Sequence, residues 1–534
     1  MSLLARIPLV RGVIPPREHT LRYKDDEDRH AVILSRLLAI GTFLTGLGYI
    51  VWLFFAKNPH HPWMAAAFIA AESVCLLLFL TATFTVWRLR YKPPQGLPLQ
   101  AVSTVDVFVT VCGEPLEVVQ RTLTAVADIE WAGAVKVYVL DDGASDAVEA
   151  EAVRRNFIYR SRPKSGASLE AAKAGNLNFG LKQSEGELIL VLDADQVAAP
   201  HILHALAGYM RFSDVGFIQS RQFYHVPEGD PFFSQDRVFY EAVQLGYDDR
   251  DNAISCGSGV LYRRAALEEA GGFASWNLVE DLTTSYELHS RGWRSFYYPH
   301  ALSIGLAPTD IWGVYRQRGQ WALDTMRLFF WDNPLIKKGL VWQGRMSYLV
   351  IPLTYLGAGF VFPFLFIIPI WTYLTGGSVL ATSEIRFVLF RGMYLVMMAV
   401  ALRVLFRRQE AGRQFQMLVG LFPVYLAATV RALFHPRGRT PRYTPNHARR
   451  KNRTRPAALA ILPQLTLMGL SAILPFYAIA AGTAEPRLIL SNAFISAAAL
   501  WALLPVVFAA ISKKVWSDEH ASYAAYQQTA ETDS

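Results

Sequence analysis

The sequence predicts an α/β domain held between membrane-spanning helices, and three observations lead to this prediction. First, the mean hydropathy is positive and 52% of the 534 residues are hydrophobic, which is unusual for a soluble protein of this size. Second, long apolar runs lie on both sides of the stretch from about residue 100 to 325. Third, short β-rich runs alternate with helical patterns inside that stretch, which indicates a largely parallel sheet with helices on both faces.

Six apolar segments are predicted to cross the membrane. They are residues 37–56, 63–87, 347–374, 387–402, 457–481 and 488–511. A further segment, residues 414–430, is expected either to span or to lie in the interface as an amphipathic helix. Glu72 is a lone acid inside the second span, and such residues are costly there. We expect it either to contact a translocating sugar or to pair with a polar group on a neighbouring span.

The distribution of positive charge predicts the orientation. The net charge is +8, and the Lys and Arg residues concentrate in the N-terminal segment, after residue 87, in residues 407–456 and at Lys513 and Lys514. All of these can be cytoplasmic only if the number of spans is even, so six spans are favoured over seven. The α/β domain is then cytoplasmic. Residues 407–456 are expected to touch anionic headgroups or nucleotide phosphates, or to be a positive-inside loop only.

Acidic side chains follow three predicted strands, at the edge where parallel sheets bind ligands. The strands are residues 105–111, 135–140 and 188–192, and the motifs after them contain Glu114, Asp141-Asp142 and Asp193-Ala194-Asp195. In an extended chain Asp193 and Asp195 would point to the same face. Two neighbouring carboxylates favour Mg²⁺ or Mn²⁺, with a nucleotide diphosphate completing the shell. An isolated pair of this kind is more often a solvated turn, but its place after a buried strand favours the metal.

Two later motifs suggest transfer chemistry. Asp281 begins a predicted helix, where it is either a cap or a general base for a sugar hydroxyl. One base is enough for direct displacement at an anomeric carbon, which inverts the configuration. Gln317 and Trp321 share a helix face beside Arg318. The indole suits either a sugar ring or the membrane interface, and the spacing alone does not decide between them.

Taken in order, these motifs resemble the processive branch of glycosyltransferase family 2, of the cellulose, curdlan or mixed-linkage β-glucan synthase type. The resemblance covers about residues 90–450, including Ala172 to Asn178, Cys256-Gly257-Ser258, Ala270 to Phe273, and the stretch from Glu280 to Trp321. It implies a GT-A-like (Rossmann-like) cytoplasmic domain embedded in a transmembrane bundle. It also implies a UDP-sugar donor, a growing polysaccharide acceptor, and Mg²⁺ or Mn²⁺ as cofactor.

The resemblance assigns a role to each matching residue. The catalytic base is Asp281, and the metal ligands are Asp193 and Asp195. The substrate-binding residues are Glu114, Asp141, Asp142, Lys173, Asp193, Glu280, Gln317, Arg318, Trp321, Cys256, Gly257 and Ser258. Among these, Glu114 and Asp142 would contact the uracil and ribose, and Lys173 the diphosphate. Trp321 would stack on the acceptor, with Cys256-Gly257-Ser258 lining its path.

Some positions depart from the family pattern. Val279 replaces the Thr before Glu280-Asp281, and Gln320 replaces an Arg that helps to hold the leaving diphosphate. That charge would then have to come from Arg318 or Arg316. Residues 435–450 lie where the family has a mobile gating loop, but the gating motif is only half kept around Arg442-Tyr443-Thr444-Pro445. The segment after Lys514 is too short for a PilZ β-barrel, so regulation by cyclic-di-GMP is not expected.

The resulting division of the chain has five parts. They are a cytoplasmic N-terminal segment (1–30), two spans (31–90), the glycosyltransferase domain (95–330), a region of interface helices, gating-type loop and four spans (331–515), and a cytoplasmic tail (516–534). We expect a multi-pass protein of a bacterial inner membrane. Its partners would be membrane lipids and an accessory export subunit, but no nucleic acid.

The function predicted from the sequence is processive, inverting polymerisation of a β-glucan from UDP-glucose, with β-1,4, β-1,3 or mixed linkage and translocation of the polymer. One alternative is single addition of a sugar to a lipid carrier, and another is a synthase that uses UDP-GlcNAc or another nucleotide sugar. A third is a polymer channel with a degenerate transferase domain. The presence of Asp142, Asp193, Asp195 and Asp281 argues against the last.

Overall fold

The structure is a computed structural model that describes residues 26–87, 102–406, 410–439 and 456–512. The strands are β1 Val105–Val111, β2 Val135–Asp141, β3 Ile158–Arg160, β4 Leu188–Asp193, β5 Val197–Ala198, β6 Val215–His225, β7 Val260–Arg263 and β8 Arg294–Leu306. The helices that precede or accompany the sheet are α1 Asp26–Ala56, α2 Pro62–Val86, α3 Leu116–Ala127, α4 Asp146–Arg154, α5 Ala172–Leu181, α6 Ile202–Ala207, α7 Gln244–Asp248, α8 Arg264–Ala270 and α9 Glu280–Ser290. After the sheet come α10 Ile311–Trp331, α11 Trp342–Leu356, α12 Phe362–Thr375, α13 Glu384–Leu405, α14 Ala411–Gly420, α15 Phe422–Leu433, α16 Ala457–Ala460, α17 Leu462–Ala481 and α18 Pro486–Ile511.

The eight strands form one sheet in the order β3-β2-β1-β4-β7-β6-β8-β5. The first four are parallel, as the alternating pattern predicts, because each is joined to the next by a helix or a long connection. The other half is mixed: β7 runs antiparallel to β4 and β6, and β5 antiparallel to β8. The expectation of a largely parallel sheet therefore holds for one half only. A strand such as β5, with two residues, is too short to leave a periodic signal.

Apolar side chains alternate along the central strands and so fill a core on each face of the sheet. Val107 and Val109 of β1 pack with residues of α3 and α6 on one face. Phe108, between them, packs on the other face with Tyr138, Leu140 and residues of α5 and α8. Both cores are fully enclosed, so β1 and β4 lie buried in the middle of the domain. The edge where the sequence predicts ligand binding is consequently carried by buried strands.

Within the residues that the structure describes, six helical segments are long and apolar enough to cross a bilayer: Val32–Ala56, Pro62–Val86, Trp342–Thr375, Glu384–Leu405, Leu462–Ala481 and Pro486–Ile511. The prediction of about six spans is confirmed. The ambiguous segment at residues 414–430 forms α14 and α15, which meet at a bend of 59°. Glu72 in the second span lies 2.7 Å from Arg391 in the fourth, so the pairing alternative is the one that the structure shows.

The α/β domain is attached to the end of α2 by close backbone packing. A Cβ atom on Gly246 would lie 2.0 Å from the carbonyl oxygen of Thr85, so only glycine fits at this crossing. Arg250 donates to the carbonyl oxygens of Thr85, at 2.8 Å, and of Phe84. These are among the carbonyls that a helix leaves unpaired in its last turn. One buried arginine thus caps the span and fixes the domain to it.

Candidate active site

The predicted acidic motifs meet at one edge of the sheet because the strands that carry them are paired in register. Val111 of β1 lies opposite Asp141 of β2, and Thr110 lies opposite Asp193 of β4. The hydroxyl of Thr110 donates to Asp193 Oδ1 at 3.1 Å. Glu114 turns back over the end of β1, where its carboxylate accepts from the backbone N–H of Cys112 at 2.6 Å. The strand ends therefore bring these carboxylates together, as expected for such sheets.

Lys173 lies among several carboxylates at this edge. Its ammonium is 2.6 Å from Asp193 and 3.1 Å from Glu280, and it donates to the carbonyl of Gly257 at 2.8 Å. Burial disfavours its charge, but Asp193 and Glu280 outweigh that effect and hold the pKa of Lys173 well above its usual value. The sequence-predicted Lys173, Asp193, Gly257 and Glu280 are thus in direct contact.

Asp281 belongs to the same group. Gly257 has a φ of +81°, and a Cβ atom there would lie 2.8 Å from Asp281 Oδ2 and 3.1 Å from Lys173 Nζ. Glycine is required for both reasons. Burial, together with the neighbouring charge of Glu280, raises the pKa of Asp281 to about 8. A carboxyl group with such a pKa can accept a proton near neutral pH, which is the property that a general base needs.

Asp195 shows that this edge accumulates negative charge. The chain turns after Asp193, so the expected extended geometry for the pair is wrong, and Asp195 instead accepts from the backbone N–H of Leu306 at 3.4 Å. Burial raises the pKa of Asp195 to about 7, and the charges of Asp193 and Glu114 add to the rise. A cation would relieve this repulsion. The residues therefore fit a divalent metal whose remaining ligands are supplied by water or by a diphosphate.

The described residues contain no group of three or more His, Cys, Asp or Glu side chains arranged to hold a metal by themselves. This is compatible with Mg²⁺ or Mn²⁺ held by one or two carboxylates and completed by substrate oxygens. It excludes, for the described residues, a closed structural metal site made of these side chains.

Asp141 and Asp142 have different surroundings although they are adjacent. Asp141 is fully buried and accepts from the backbone N–H groups of Gly143 and Ser145 and from the Tyr159 hydroxyl. In this structure it organises the loop after β2. Asp142 forms a two-pronged ion pair with Arg162 at 2.8 and 2.5 Å. Binding of the UDP-sugar by Asp141 and Asp142 stays a prediction.

Arg162 is a site residue that the sequence analysis missed. It is 3% exposed and, besides Asp142, donates to the carbonyl oxygens of Ser168, Glu170 and Ala172. It therefore ties the loop before α5, and with it Lys173, to the end of β2. No motif marks an arginine that acts through backbone carbonyls, so only the folded structure reveals it.

The Cys256-Gly257-Ser258 segment is held by two glutamines of β6 that the sequence analysis also missed. Gln219 accepts from the N–H of Cys256 at 2.7 Å and donates to the carbonyl of Ser258 at 2.8 Å. Gln222 donates to the carbonyls of Cys256 and Ser258. The Ser258 hydroxyl accepts from the N–H of Asp193 at 3.0 Å. These contacts fix the segment against the Asp193 strand. The presence of two glutamines in one strand is the sequence signal that could have indicated it.

The predicted acceptor residues Gln317, Arg318 and Trp321 lie in α10. Arg318 pairs with Asp236 at 2.5 Å, and its guanidinium lies 4.7 Å from the centre of the Trp321 ring. Burial opposes the charge of Arg318, but Asp236 outweighs it and raises its pKa. Arg318 is thus engaged with Asp236 and Trp321, and the structure does not place it on the carboxylates around Lys173. Replacement of the charge missing at Gln320 by Arg318 or Arg316 stays a prediction.

The side chain of Gln320 points toward the next turn of α10. Its amide donates to Asp324 Oδ2 at 2.8 Å, and Asp324 in turn lies 3.4 Å from Arg327. Both charged residues are 0% exposed. Their presence in an otherwise apolar part of α10 was a signal that the sequence analysis left unused. The expected gating-type residues at 440–450, including Arg442-Tyr443-Thr444-Pro445, lie outside the described residues, as do the tail and residues 88–101.

The fold and the site together define a GT-A-type glycosyltransferase domain joined to a set of membrane helices. Residues 103–323 match the family model "Glycosyltransferase like family 2", and residues 268–409 match the family model "Cellulose synthase". The predicted resemblance to family 2 glycosyltransferases of the cellulose synthase type is confirmed.

Curated relatives agree with this assignment. The chain is 33% identical to cellulose synthase 2 of Novacetimonas hansenii over 329 residues, which are 58% of this chain and 20% of that protein. It is 30% identical to the UDP-forming catalytic subunit of cellulose synthase 1 of Komagataeibacter xylinus over 330 residues, 58% of this chain and 44% of that protein. The chain thus spans less than half the length of these relatives.

A solved structure supports the fold. A mannosyltransferase from Pyrobaculum calidifontis, in complex with GDP-Man and Mn²⁺, superposes with a TM-score of 0.52 at 16% identity, covering 69% of this chain and 99% of that one. At this identity the likeness concerns the fold. The prediction of a GT-A-like domain embedded in membrane helices is confirmed.

Proposed function

We propose that the chain is a processive, inverting membrane glycosyltransferase that polymerises a β-glucan from UDP-glucose and passes the polymer across the bacterial inner membrane. The observation that carries the proposal is the convergence of Asp193, Glu280 and Asp281 on Lys173 beside Gly257. The similarity to cellulose synthases supports the choice of donor and product.

In the proposed reaction Asp281 removes the proton from the acceptor hydroxyl. The hydroxyl oxygen forms a bond to the anomeric carbon while the bond from that carbon to the UDP oxygen breaks, and UDP leaves with the electron pair. A divalent metal held by Asp193 and Asp195 would supply charge stabilisation for the diphosphate. Lys173, which already contacts Asp193, would orient the diphosphate.

The residues around Cys256 link the base to the proposed acceptor side. The Cys256 thiol is partly buried, and its pKa is raised, first by burial and then by Asp281, with a smaller contribution from Asp236. Asp236 in turn pairs with Arg318, which stacks on Trp321. A sugar ring resting on Trp321 would therefore be within a few side chains of Asp281. This arrangement supports a platform for the end of a growing chain.

The direct test is to incubate the purified full-length protein with UDP-glucose and Mg²⁺ or Mn²⁺ and to measure UDP release together with product length and linkage. The proposal expects UDP release and a long polymer that a β-glucanase degrades. One sugar per acceptor in a lipid extract would indicate the single-addition alternative instead. UDP release from UDP-GlcNAc but not from UDP-glucose would overturn the proposal that UDP-glucose is the donor.

A further inference from the structure

The helix that carries Glu280 and Asp281 has no side-chain cap of its own. Val279 precedes the first helical residue, and its apolar side chain accepts no hydrogen bond from the first turn. Three residues on, Leu282 occupies the place where a Glu or Gln would accept from the N–H of Val279. Both ordinary means of fixing a helix start are therefore missing here, at the helix end that holds the proposed base.

Asp324, from the neighbouring helix α10, supplies the missing acceptor. Its Oδ2 accepts from the N–H of Val279 at 2.7 Å and from the amide of Gln320 at 2.8 Å. Its Oδ1 lies 3.4 Å from the guanidinium of Arg327, which compensates the buried charge. A backbone N–H bonded to a carboxylate is among the stronger hydrogen bonds in proteins. The start of α9 is therefore fixed from outside.

Arg327 completes the attachment. It donates to the side-chain oxygen of Asn277 at 2.6 Å and to the carbonyl of His435 at 2.8 Å. Asn277 in turn donates to the Thr283 hydroxyl at 3.1 Å. The loop before the base and the first turn after it are thus both connected to α10. This helix also carries Trp321, so one rigid element contacts the acceptor platform and the base segment.

We propose that Asp324 is a positioning residue for sugar transfer: by holding the N–H of Val279 it fixes where Asp281 meets the acceptor hydroxyl. The transfer part of this inference rests on the proposed function, whereas the structural part does not. Displacements of about 1 Å at a reacting centre can lower rates about a hundredfold. Losing this one contact should therefore act on turnover more than on donor binding.

The test compares three variants of the full-length protein: Asp324→Ala, the double variant Asp324→Ala with Val279→Thr, and the control Asp332→Ala. The threonine gives α9 its own cap and should restore part of what is lost. Asp332 follows the last residue of α10, and its carboxylate pairs with Lys337 and Arg437. In the described part of the chain it pairs with none of residues 277–283, so it matches the loss of a paired carboxylate beside the same helix. The readouts are kcat and donor KM per folded molecule, and amide hydrogen exchange of residues 277–283.

We expect Asp324→Ala to lower kcat about tenfold or more with donor KM within about twofold, and to speed exchange of residues 277–283. Adding Val279→Thr to Asp324→Ala should recover part of the lost kcat and part of the slow exchange, whereas Asp332→Ala should change neither kcat nor exchange. Unchanged exchange in Asp324→Ala, or no recovery with Val279→Thr, would overturn the inference. Absence of UDP release by the wild type would instead contradict the proposed function, and exchange would still test the positioning.

Discussion

A group of partly buried charged residues at the edge of the sheet and a buried ion pair among the membrane helices differ in their balance of charge. At the sheet edge, Lys173 faces Asp193 and Glu280, with Asp281 and Asp195 nearby. Among the spans, Glu72 faces Arg391 at 2.7 Å. The pair in the membrane is compensated one to one, whereas the sheet-edge group carries more carboxylates than its ammonium can neutralise.

This difference distinguishes a structural contact from a ligand site. A compensated pair has its partners already and gains nothing from a ligand. Uncompensated buried carboxylates have raised pKa values, and they are stabilised by a cation or a substrate that brings one. We therefore propose ligand binding at the sheet edge and helix attachment by Glu72 and Arg391. A substitution that removes one charge tests each assignment.

The largest effect is expected at Asp281. Replacing Asp281 with Asn removes the proposed base while keeping the shape of the side chain, so turnover should fall by about 10² to 10⁴, with UDP affinity nearly unchanged. The measurement is UDP release under saturating donor beside UDP binding. Asp214→Asn is a matched control, since that carboxylate is half exposed and pairs with Arg294 away from the site. Turnover within about tenfold of the wild type would remove Asp281 from this role.

Substitutions in the Glu72–Arg391 pair should change the stability of the protein and leave its turnover unchanged. Glu72→Gln leaves Arg391 buried without its counter-charge, which should lower the free energy of unfolding by about 3–5 kcal/mol. Adding Arg391→Met removes the orphaned charge and should restore most of the loss. Thermal unfolding in detergent, with turnover per folded molecule, measures both. A double variant that is stable but has lost turnover would show that the pair serves the substrate path.

Much of the fold could be predicted from the sequence because strong local patterns specify it. The strands β1 and β2 are β-rich runs with an alternating pattern, β4 is an apolar run, and the spans are long apolar segments. The mixed half of the sheet was missed because β5 and β7 are short. Pairings such as β6 with β8 depend on contacts that sequence periodicity does not encode.

The candidate site also divides into residues that local motifs identify and residues that only long-range contacts reveal. Asp193, Asp281 and Lys173 were identified because they lie in motifs with a fixed order, and the structure brings them together. Arg162 and Asp324 were missed because they act on backbone groups of distant segments. The charge missing at Gln320 was expected to come from Arg318 or Arg316, and its source stays a prediction. The pairing of Arg318 with Asp236, 82 residues away, is a contact that the sequence does not indicate.

His289 provides a third kind of buried group, one that is neutral. It is enclosed between Tyr348 and Ser295, and burial lowers its pKa to about 3. The unfolded chain takes up this proton near pH 6.5, so stability should be full above that pH and should fall by up to about 1.4 kcal/mol per unit as the pH drops toward 3. Denaturant unfolding between pH 7.5 and 5 measures the slope. His289→Asn should lower that slope by about one proton, and an unchanged slope would contradict the assignment.

The central claim is tested most directly by measuring UDP affinity with and without Mn²⁺, in the wild type and in Asp195→Asn, by titration calorimetry. If the carboxylates at the sheet edge bind a sugar nucleotide together with a cation, Mn²⁺ should tighten UDP binding by about tenfold or more, which is about 1.4 kcal/mol. Asp195→Asn should remove most of that gain. Equal UDP affinity with and without Mn²⁺ in the wild type would contradict the account.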